Sequence, residues 1–104
     1  MATYKFPDGM ILNKDTTTLL TAADCPAGAW GAFTAEVQLA ITGQYTTDKY
    51  FVGCSQVGSA QLPGVILVGA AVNTSSFAVT FYNASGADIP ASTAIEFGFM
   101  TLGI

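Results

Sequence analysis

The side chains with the strongest chemistry in this sequence are seven carboxylates and two cysteines, and histidine is absent. Histidine is the common general base at neutral pH and the commonest metal ligand, so its absence removes the usual nucleophile triads and most transition-metal sites. Two carboxylates could meet in the fold as an acid–base pair, but each lies in a predicted turn or on an outward strand position. The seven are Asp8, Asp15, Asp24, Glu36, Asp48, Asp88 and Glu96. We therefore expect no enzyme, no cofactor and no bound metal.

Cys25 and Cys54 lack the neighbouring Cys or His that a zinc site needs. The first ten residues do not have the layout of a signal peptide, and the longest apolar run, Val65 to Val72, is far shorter than the roughly 20 residues of a spanning helix. We expect a protein made in a cytoplasm, with free and buried cysteines. The two Asn-x-Ser patterns, at Asn73 and Asn83, then predict turns rather than glycosylation sites.

The charge balance limits the partners. Hydrophobic residues make up 51% of the chain and charged residues 10%, with a net charge of −4. The three lysines are scattered and there is no arginine, so neither nucleic acid nor an anionic membrane is an expected partner. A surface with so few charges indicates that part of it is covered by other proteins.

The elements that would position these residues are strands. Apolar residues alternate with polar or small ones in three segments, which predicts strands with one buried face. These segments are 33–42, with Phe33, Val37, Leu39 and Ile41 inward; 77–82, with Phe77, Val79 and Phe81 inward; and 95–100, with Ile95, Phe97 and Phe99 inward. The segment 65–72 is apolar on both faces, as in a central or an interface strand. Frequent turn signals between them predict an all-β fold, a single β-sandwich or jelly-roll-like domain over residues 23–104.

Residues 1–22 are more polar and are interpreted as an N-terminal arm or edge hairpin outside this domain. An extended segment of this kind can add a strand to the sheet edge of a neighbour. We expect the arm to contact another protein through Lys5, Met10, Ile11, Leu12 and Lys14. The alternative is that these residues pair with their own sandwich.

Several turn and core motifs together resemble a known group of proteins. They are the strand with Val37, Leu39 and Ile41, then Gly43, Asp48 ahead of Phe51-Val52-Gly53, Leu62-Pro63-Gly64-Val65, Gly69-Ala70-Ala71-Val72, Phe81-Tyr82-Asn83-Ala84-Ser85-Gly86 and Ile89-Pro90-Ala91-Ser92. In this order they resemble the small β-sandwich structural proteins of tailed bacteriophages, over about residues 28–102. The resemblance implies a virion component, often a head decoration (cement) protein and sometimes a fibre or spike module, and it implies no functional residue set.

The sequence hypothesis is accordingly a decoration protein that binds the major capsid protein on the head surface and stabilises it. The alternative is a fibre or receptor-binding module that recognises host carbohydrate through exposed aromatics, for which Tyr45, Tyr50 and Tyr82 are candidates. Against this, Tyr50 and Tyr82 are expected to pack on the sandwich with their hydroxyls at its rim. We also expect a homotrimer. The small, uncharged face of Ala78, Thr80 and Tyr82 would form the subunit contact, and capsid lattices offer three-fold positions for such an assembly.

Overall fold

A computed structural model describes all 104 residues and contains eight β-strands and one short 3-10 turn. The strands are β1 (Ala2–Lys5), β2 (Ile11–Leu20), β3 (Trp30–Ala32), β4 (Val37–Gln38), β5 (Phe51–Gln56), β6 (Val65–Ala71), β7 (Ser76–Asn83) and β8 (Ala94–Gly103). The 3-10 turn covers Ile41–Gly43. The prediction of an all-β chain is confirmed.

The strands form two antiparallel sheets. Sheet 1 has the order β1-β2-β8-β5, and β2 pairs with β8 along ten positions, from Ile11 opposite Gly103 to Leu20 opposite Ala94. Sheet 2 is built around β7, with β6 along one edge. The short strands β3 and β4 share the other edge of β7. The two sheets pack as the predicted sandwich.

The inner faces of β7 and β8 supply the centre of the core. Phe77, Phe81 and Phe97 are completely buried, while the alternate residues of both strands point away from the interior. This alternation is the one read from the sequence, and it is confirmed. Burying a large apolar side chain contributes about 2 kcal/mol relative to leaving it in water, so the two strands hold the sheets together.

The core has two parts along the length of the sandwich. One cluster contains Val37, Leu39, Tyr45, Tyr50, Phe77, Val79, Phe97 and Phe99. The other contains Cys25, Val65, Phe81, Ile89 and Ile95. Phe33 and Leu67 pack against both clusters and join them. The Phe33 ring lies 5.3 Å from that of Phe81 and 6.1 Å from that of Phe97.

The N-terminal residues form a hairpin within sheet 1. Strand β1 pairs with β2, and β2 is an interior strand between β1 and β8. The expectation that residues 1–22 lie outside the sandwich is therefore wrong for β2. The physical reason is that β8 offers β2 a complete set of backbone partners within the same chain. Within residues 1–22, only β1 is an edge strand.

The segment 33–42 is not one continuous strand. Ala32 lies opposite Thr80 and Val37 opposite Phe77, so four residues on this side face two residues of β7 and must bulge. Within the bulge, Thr34 donates its N–H to the carbonyl of Leu20. Strand β7 begins at Ser76, so the strand pairing ends at Gln38, and only the Leu39 N–H still donates to the carbonyl of Ser75 before the chain enters the 3-10 turn. Ile41, predicted to point inward, is 88% exposed.

Candidate functional site

The outer face of sheet 2 is a continuous uncharged surface, and we call it the Trp30 face. It comprises the outward residues of three strands: Trp30 and Ala32 of β3, Ile66, Val68 and Ala70 of β6, and Ala78, Thr80 and Tyr82 of β7. None of the eight carries a charge, and the polar side-chain atoms are the Thr80 hydroxyl, the Tyr82 hydroxyl and the indole N–H of Trp30. Trp30 is 61% exposed, Ile66 56% and Val68 44%.

The register arranges these residues in rows across the sheet. Trp30, Tyr82 and Ile66 lie side by side and form a row of large side chains. The next row holds Ala32, Thr80 and Val68, and the last holds Ala78 and Ala70. The face is consequently high at one end and low at the other, because side-chain size falls from row to row.

Trp30 is held in place by the backbone of β3 and by Tyr82. The two rings are 5.2 Å apart between centroids and tilted by 54°, a geometry within the range of favourable aromatic pairs. The next residue, Gly31, points inward, and a Cβ there would overlap the ring of Phe81. Glycine thus lets β3 lie directly on the core while Trp30 projects outward.

The predicted contact residues of the hairpin lie on the other side of the molecule. Leu12 and Lys14 point outward on sheet 1, with Leu12 opposite Tyr4 and Leu102, and Lys14 opposite Met100. The Lys14 Nζ lies 5.7 Å from the centre of the Tyr4 ring. The structure therefore does not bring these residues together with Ala78, Thr80 and Tyr82, which belong to the opposite sheet.

The other three hairpin residues have different surroundings. Lys5 is exposed at the end of β1. Met10 lines an open depression of about 540 Å³ together with Phe6, Pro7, Asp8, Leu12 and Leu102. Ile11 packs against the core cluster of its own sandwich, which leaves little of its side chain for a partner. A contact role for the hairpin remains a prediction.

Two of the three tyrosines proposed for sugar binding are buried. Tyr45 is 4% exposed and Tyr50 is 7% exposed, and their rings stack at 4.3 Å. The Tyr45 hydroxyl lies 2.7 Å from that of Thr101 and donates to the carbonyl of Ile11 at 3.2 Å. Neither ring is available to a ligand, so this part of the prediction is wrong for both residues. Tyr82 remains on the surface, beside Trp30.

The Tyr50 hydroxyl connects the two halves of the sandwich. Tyr50 directly precedes β5 of sheet 1, and its hydroxyl donates to the carbonyl of Ser76 at 2.6 Å and lies 2.9 Å from that of Asn73, in the turn that leads into β7. Burial raises the pKa of Tyr50 to about 12, with smaller contributions from Tyr45, Asp48 and Glu36. The phenol is thus maintained in its neutral, donating form.

The pattern Asn83-Ala84-Ser85 forms a turn, as predicted. Asn83 is completely buried, and its Nδ2 donates to the carbonyls of Cys25 at 3.1 Å and Ala87 at 2.8 Å. Its Oδ1 accepts from the backbone N–H of Ser85 at 3.1 Å and from the Ser85 hydroxyl at 2.6 Å. A side chain with this set of partners cannot carry a glycan without unfolding the turn.

The cysteines and the carboxylates do not form a site. Cys25 is buried and Cys54 half-buried, and both are free. Burial raises the pKa of the Cys54 thiol, which lowers its reactivity. No group of three His, Cys, Asp or Glu side chains is placed to hold a metal ion. The chain contains no helix with the length and hydropathy of a membrane-spanning segment.

Sequence reasoning missed Trp30, the most exposed aromatic residue of sheet 2. Its segment, Ala29-Trp30-Gly31-Ala32, is too short and too rich in small residues to show an alternation. A usable signal was the glycine next to a lone tryptophan, because glycine in a strand often marks a close approach of the backbone to other atoms.

Comparison with known proteins gives similarity in fold alone. No protein-family model matches the sequence, and no curated protein matches it significantly. Among solved structures, the R1 pyocin fibre of P. aeruginosa comprising C-terminal residues 323–701 superposes with a TM-score of 0.50 at 13% identity. The match covers 93% of this chain and 24% of that chain, so this chain spans about a quarter of the fibre fragment. An N-truncated R1-type pyocin tail fibre gives a TM-score of 0.44 at 15% identity, covering 93% of this chain and 73% of that chain.

Proposed function

We propose that this chain is a β-sandwich module of a tail fibre or spike on a bacteriophage-like particle. The observation that carries the proposal is the likeness in fold to the R1 pyocin fibre, which extends over 93% of the chain. The resemblance of the sequence motifs to phage structural proteins points to the same class of particle. Of the two sequence hypotheses, the fold comparison supports the fibre alternative better than head decoration.

The surface chemistry is consistent with a structural module. The charged side chains lie outside the Trp30 face. The large exposed residues of this face are apolar or aromatic, as at contacts between protein subunits. Recognition of host carbohydrate was part of the fibre alternative, and it depended on exposed aromatics. Tyr45 and Tyr50 are buried, and Tyr82 alone of the three candidates remains on the surface, so the proposal is restricted to a place in the fibre and assigns no sugar site.

The number of copies per particle and their location test this proposal. Quantitative mass spectrometry of purified particles should find this chain at a small fraction of the abundance of the major capsid protein. Gold-labelled antibodies against the chain should mark tail appendages in electron micrographs, while antibodies against the major capsid protein mark the head as a control. An abundance comparable to the major capsid protein, with label over the head, would reject the fibre proposal and restore decoration.

A further inference from the structure

We propose that the Trp30 face is covered by the same face of another copy of this chain, with Trp30 and Tyr82 as the anchors of the contact. The inference extends the proposed function to the contact between copies. It is carried by the chemistry of the face itself, however, so it stands or falls independently of the particle to which the chain belongs.

The first support is the exposure of the face. Strands β6 and β7 have seven and eight residues and β3 has three, so at a spacing of about 4.8 Å and a rise of about 3.3 Å per residue the surface measures at most roughly 14 by 23 Å. Outward positions of a sandwich need not be apolar for the chain to fold, yet Ile66, Val68 and Trp30 are all large, apolar and more than 40% exposed. A patch of a few hundred Å² is the size of the largest apolar patch on a typical soluble domain, and that patch is often functional.

The second support is the charge distribution, which selects the partner. The chain has ten charged side chains, and none lies among the eight residues of the Trp30 face. Nucleic acid and anionic membranes require cations, which this face lacks. The outer face of sheet 1 is less suited to cover the Trp30 face. Lys14 and Glu96 lie on it, and these charged side chains would be desolvated without gaining a hydrogen-bond or ion-pair partner. The same face of another copy meets it without burying any charge.

The third support is the relief of the face. One end carries the large row of Trp30, Tyr82 and Ile66, and the other carries Ala70 and Ala78. A two-fold axis through the middle row places the high end of one copy over the low end of the other, so the surface is complementary to itself. Trp and Tyr are the residues that most often dominate the binding energy of such contacts.

The size of the face sets the strength of the contact. A stable interface buries about 800 Å² on each partner, and the Trp30 face offers less than half of this. We therefore expect association of the isolated chain only at tens to hundreds of micromolar. Within a fibre, where copies are held together by other contacts, the high effective concentration makes a weak contact sufficient.

The test uses the full chain and its single tryptophan. Sedimentation velocity from 5 to 500 µM should show a concentration-dependent rise in mass to a dimer, because a contact between two identical faces closes with two copies. The homotrimer expected from the sequence would need a different contact, so a trimer without a dimer would overturn the inference. Over the same range the Trp30 emission should shift to shorter wavelength, and quenching by acrylamide should fall, because the ring leaves water. The variant Val68→Glu places a charge in the middle row, and we expect it to weaken association at least tenfold. Ala70→Glu, at another exposed position, is a second variant in case the first folds poorly.

The matched control is Ser55→Glu, which adds the same charge to an outward, exposed position of β5 in sheet 1. Its association should equal that of the unmodified chain, and circular dichroism should show that all variants are folded. A chain that stays monomeric at 500 µM overturns the inference. Association that survives both face variants, or that Ser55→Glu weakens equally, also overturns it, because another surface would then be the contact.

Discussion

The outer faces of the two sheets differ in composition, although both sheets belong to the same sandwich. Outward positions of sheet 1 include the charged Lys14 and Glu96 beside the exposed Tyr4, Phe51 and Met100, whereas those of sheet 2 carry no charge. Both sheets supply apolar side chains to the core, so folding alone does not require the difference. The comparison indicates that sheet 2 has a second constraint on its outer side, and contact with another protein surface is the simplest constraint of this kind.

The largest expected effect comes from the strand that positions Trp30. In Gly31→Ala, the new methyl group would overlap the Phe81 ring in the core, and forcing such an overlap costs about 3 kcal/mol. The control Gly53→Ala is on sheet 1, where the nearest atom to a new Cβ is the Met100 carbonyl oxygen at 3.9 Å. Urea denaturation should show a large loss of stability for Gly31→Ala and less than about 1 kcal/mol for the control. Equal effects would mean that β3 does not lie on the core as described.

Each sheet also contains one completely buried asparagine. We expect replacement of either asparagine by alanine to lower the stability of the protein by a similar amount. Asn83→Ala in sheet 2 removes one of the two donors from each of the carbonyls of Cys25 and Ala87, and it removes the acceptor of the Ser85 backbone N–H. Asn13→Ala in sheet 1 leaves the Gly43 carbonyl without its donor and the Thr3 hydroxyl without its acceptor. Unpaired buried groups of this kind cost about 2 kcal/mol in all. Thermal unfolding should report similar losses for both, and an unaffected Asn83→Ala protein would contradict the description of the turn.

The link between the sheets through Tyr50 predicts a loss of stability at high pH. The pKa of Tyr50 in the folded protein is about 12, above the value of about 10 in an unfolded chain. Below pH 10 both states hold the proton and the stabilisation is complete. Between pH 10 and 12 the unfolded state releases the proton first, so the free energy of unfolding falls, by up to about 2 kcal/mol.

Chemical denaturation at pH 9, 10, 11 and 12 measures this fall. Tyr50→Phe removes the titrating hydroxyl and its hydrogen bond to Ser76, so this variant should be less stable at pH 9 and should lose less stability on going to pH 12. A parallel decline in both proteins would show that other groups govern the alkaline limit.

The smallest effect concerns the charge on sheet 1. Lys14→Met removes a cation from the Tyr4 ring, and an exposed contact of this type contributes only about 0.5 kcal/mol. Stability should therefore change little. If charge is what distinguishes the two faces, this variant should self-associate more strongly than the unmodified chain in sedimentation experiments. Unchanged association would show that charge alone does not separate them.

The parts of the fold that the sequence predicted are those governed by a local period. The alternation in β7 and β8 identified inward residues correctly, because both strands are paired along their length and each has one face on the core. In segment 33–42 the rule placed Val37 and Leu39 correctly but failed at Ile41, because the strand pairing ends at Gln38, where β7 begins. No local pattern reports where a partner strand begins.

The residues of the candidate site also divide into those that a local pattern predicted and those whose position depends on distant segments. Ala78, Thr80 and Tyr82 were found because they alternate with buried residues in one strand. The other members of the Trp30 face come from β3 and β6, and their position beside β7 depends on register between segments far apart in sequence. The burial of Tyr45 was also out of reach, since its hydrogen bonds to Thr101 and Ile11 join three distant segments.

The long pairing of β2 with β8 has a consequence for the order of folding. Residues that lie opposite one another in this pair are separated by up to 92 positions, as between Ile11 and Gly103, and closing so large a loop is slow because it costs chain entropy before contacts form. Sheet 2 needs only residues 30–83, so it can assemble before β2 and β8 have paired. The apolar outer face of sheet 2 would then be exposed on a partly folded intermediate. The lifetime of this intermediate, rather than the stability of the native state, would limit the yield of folded chains.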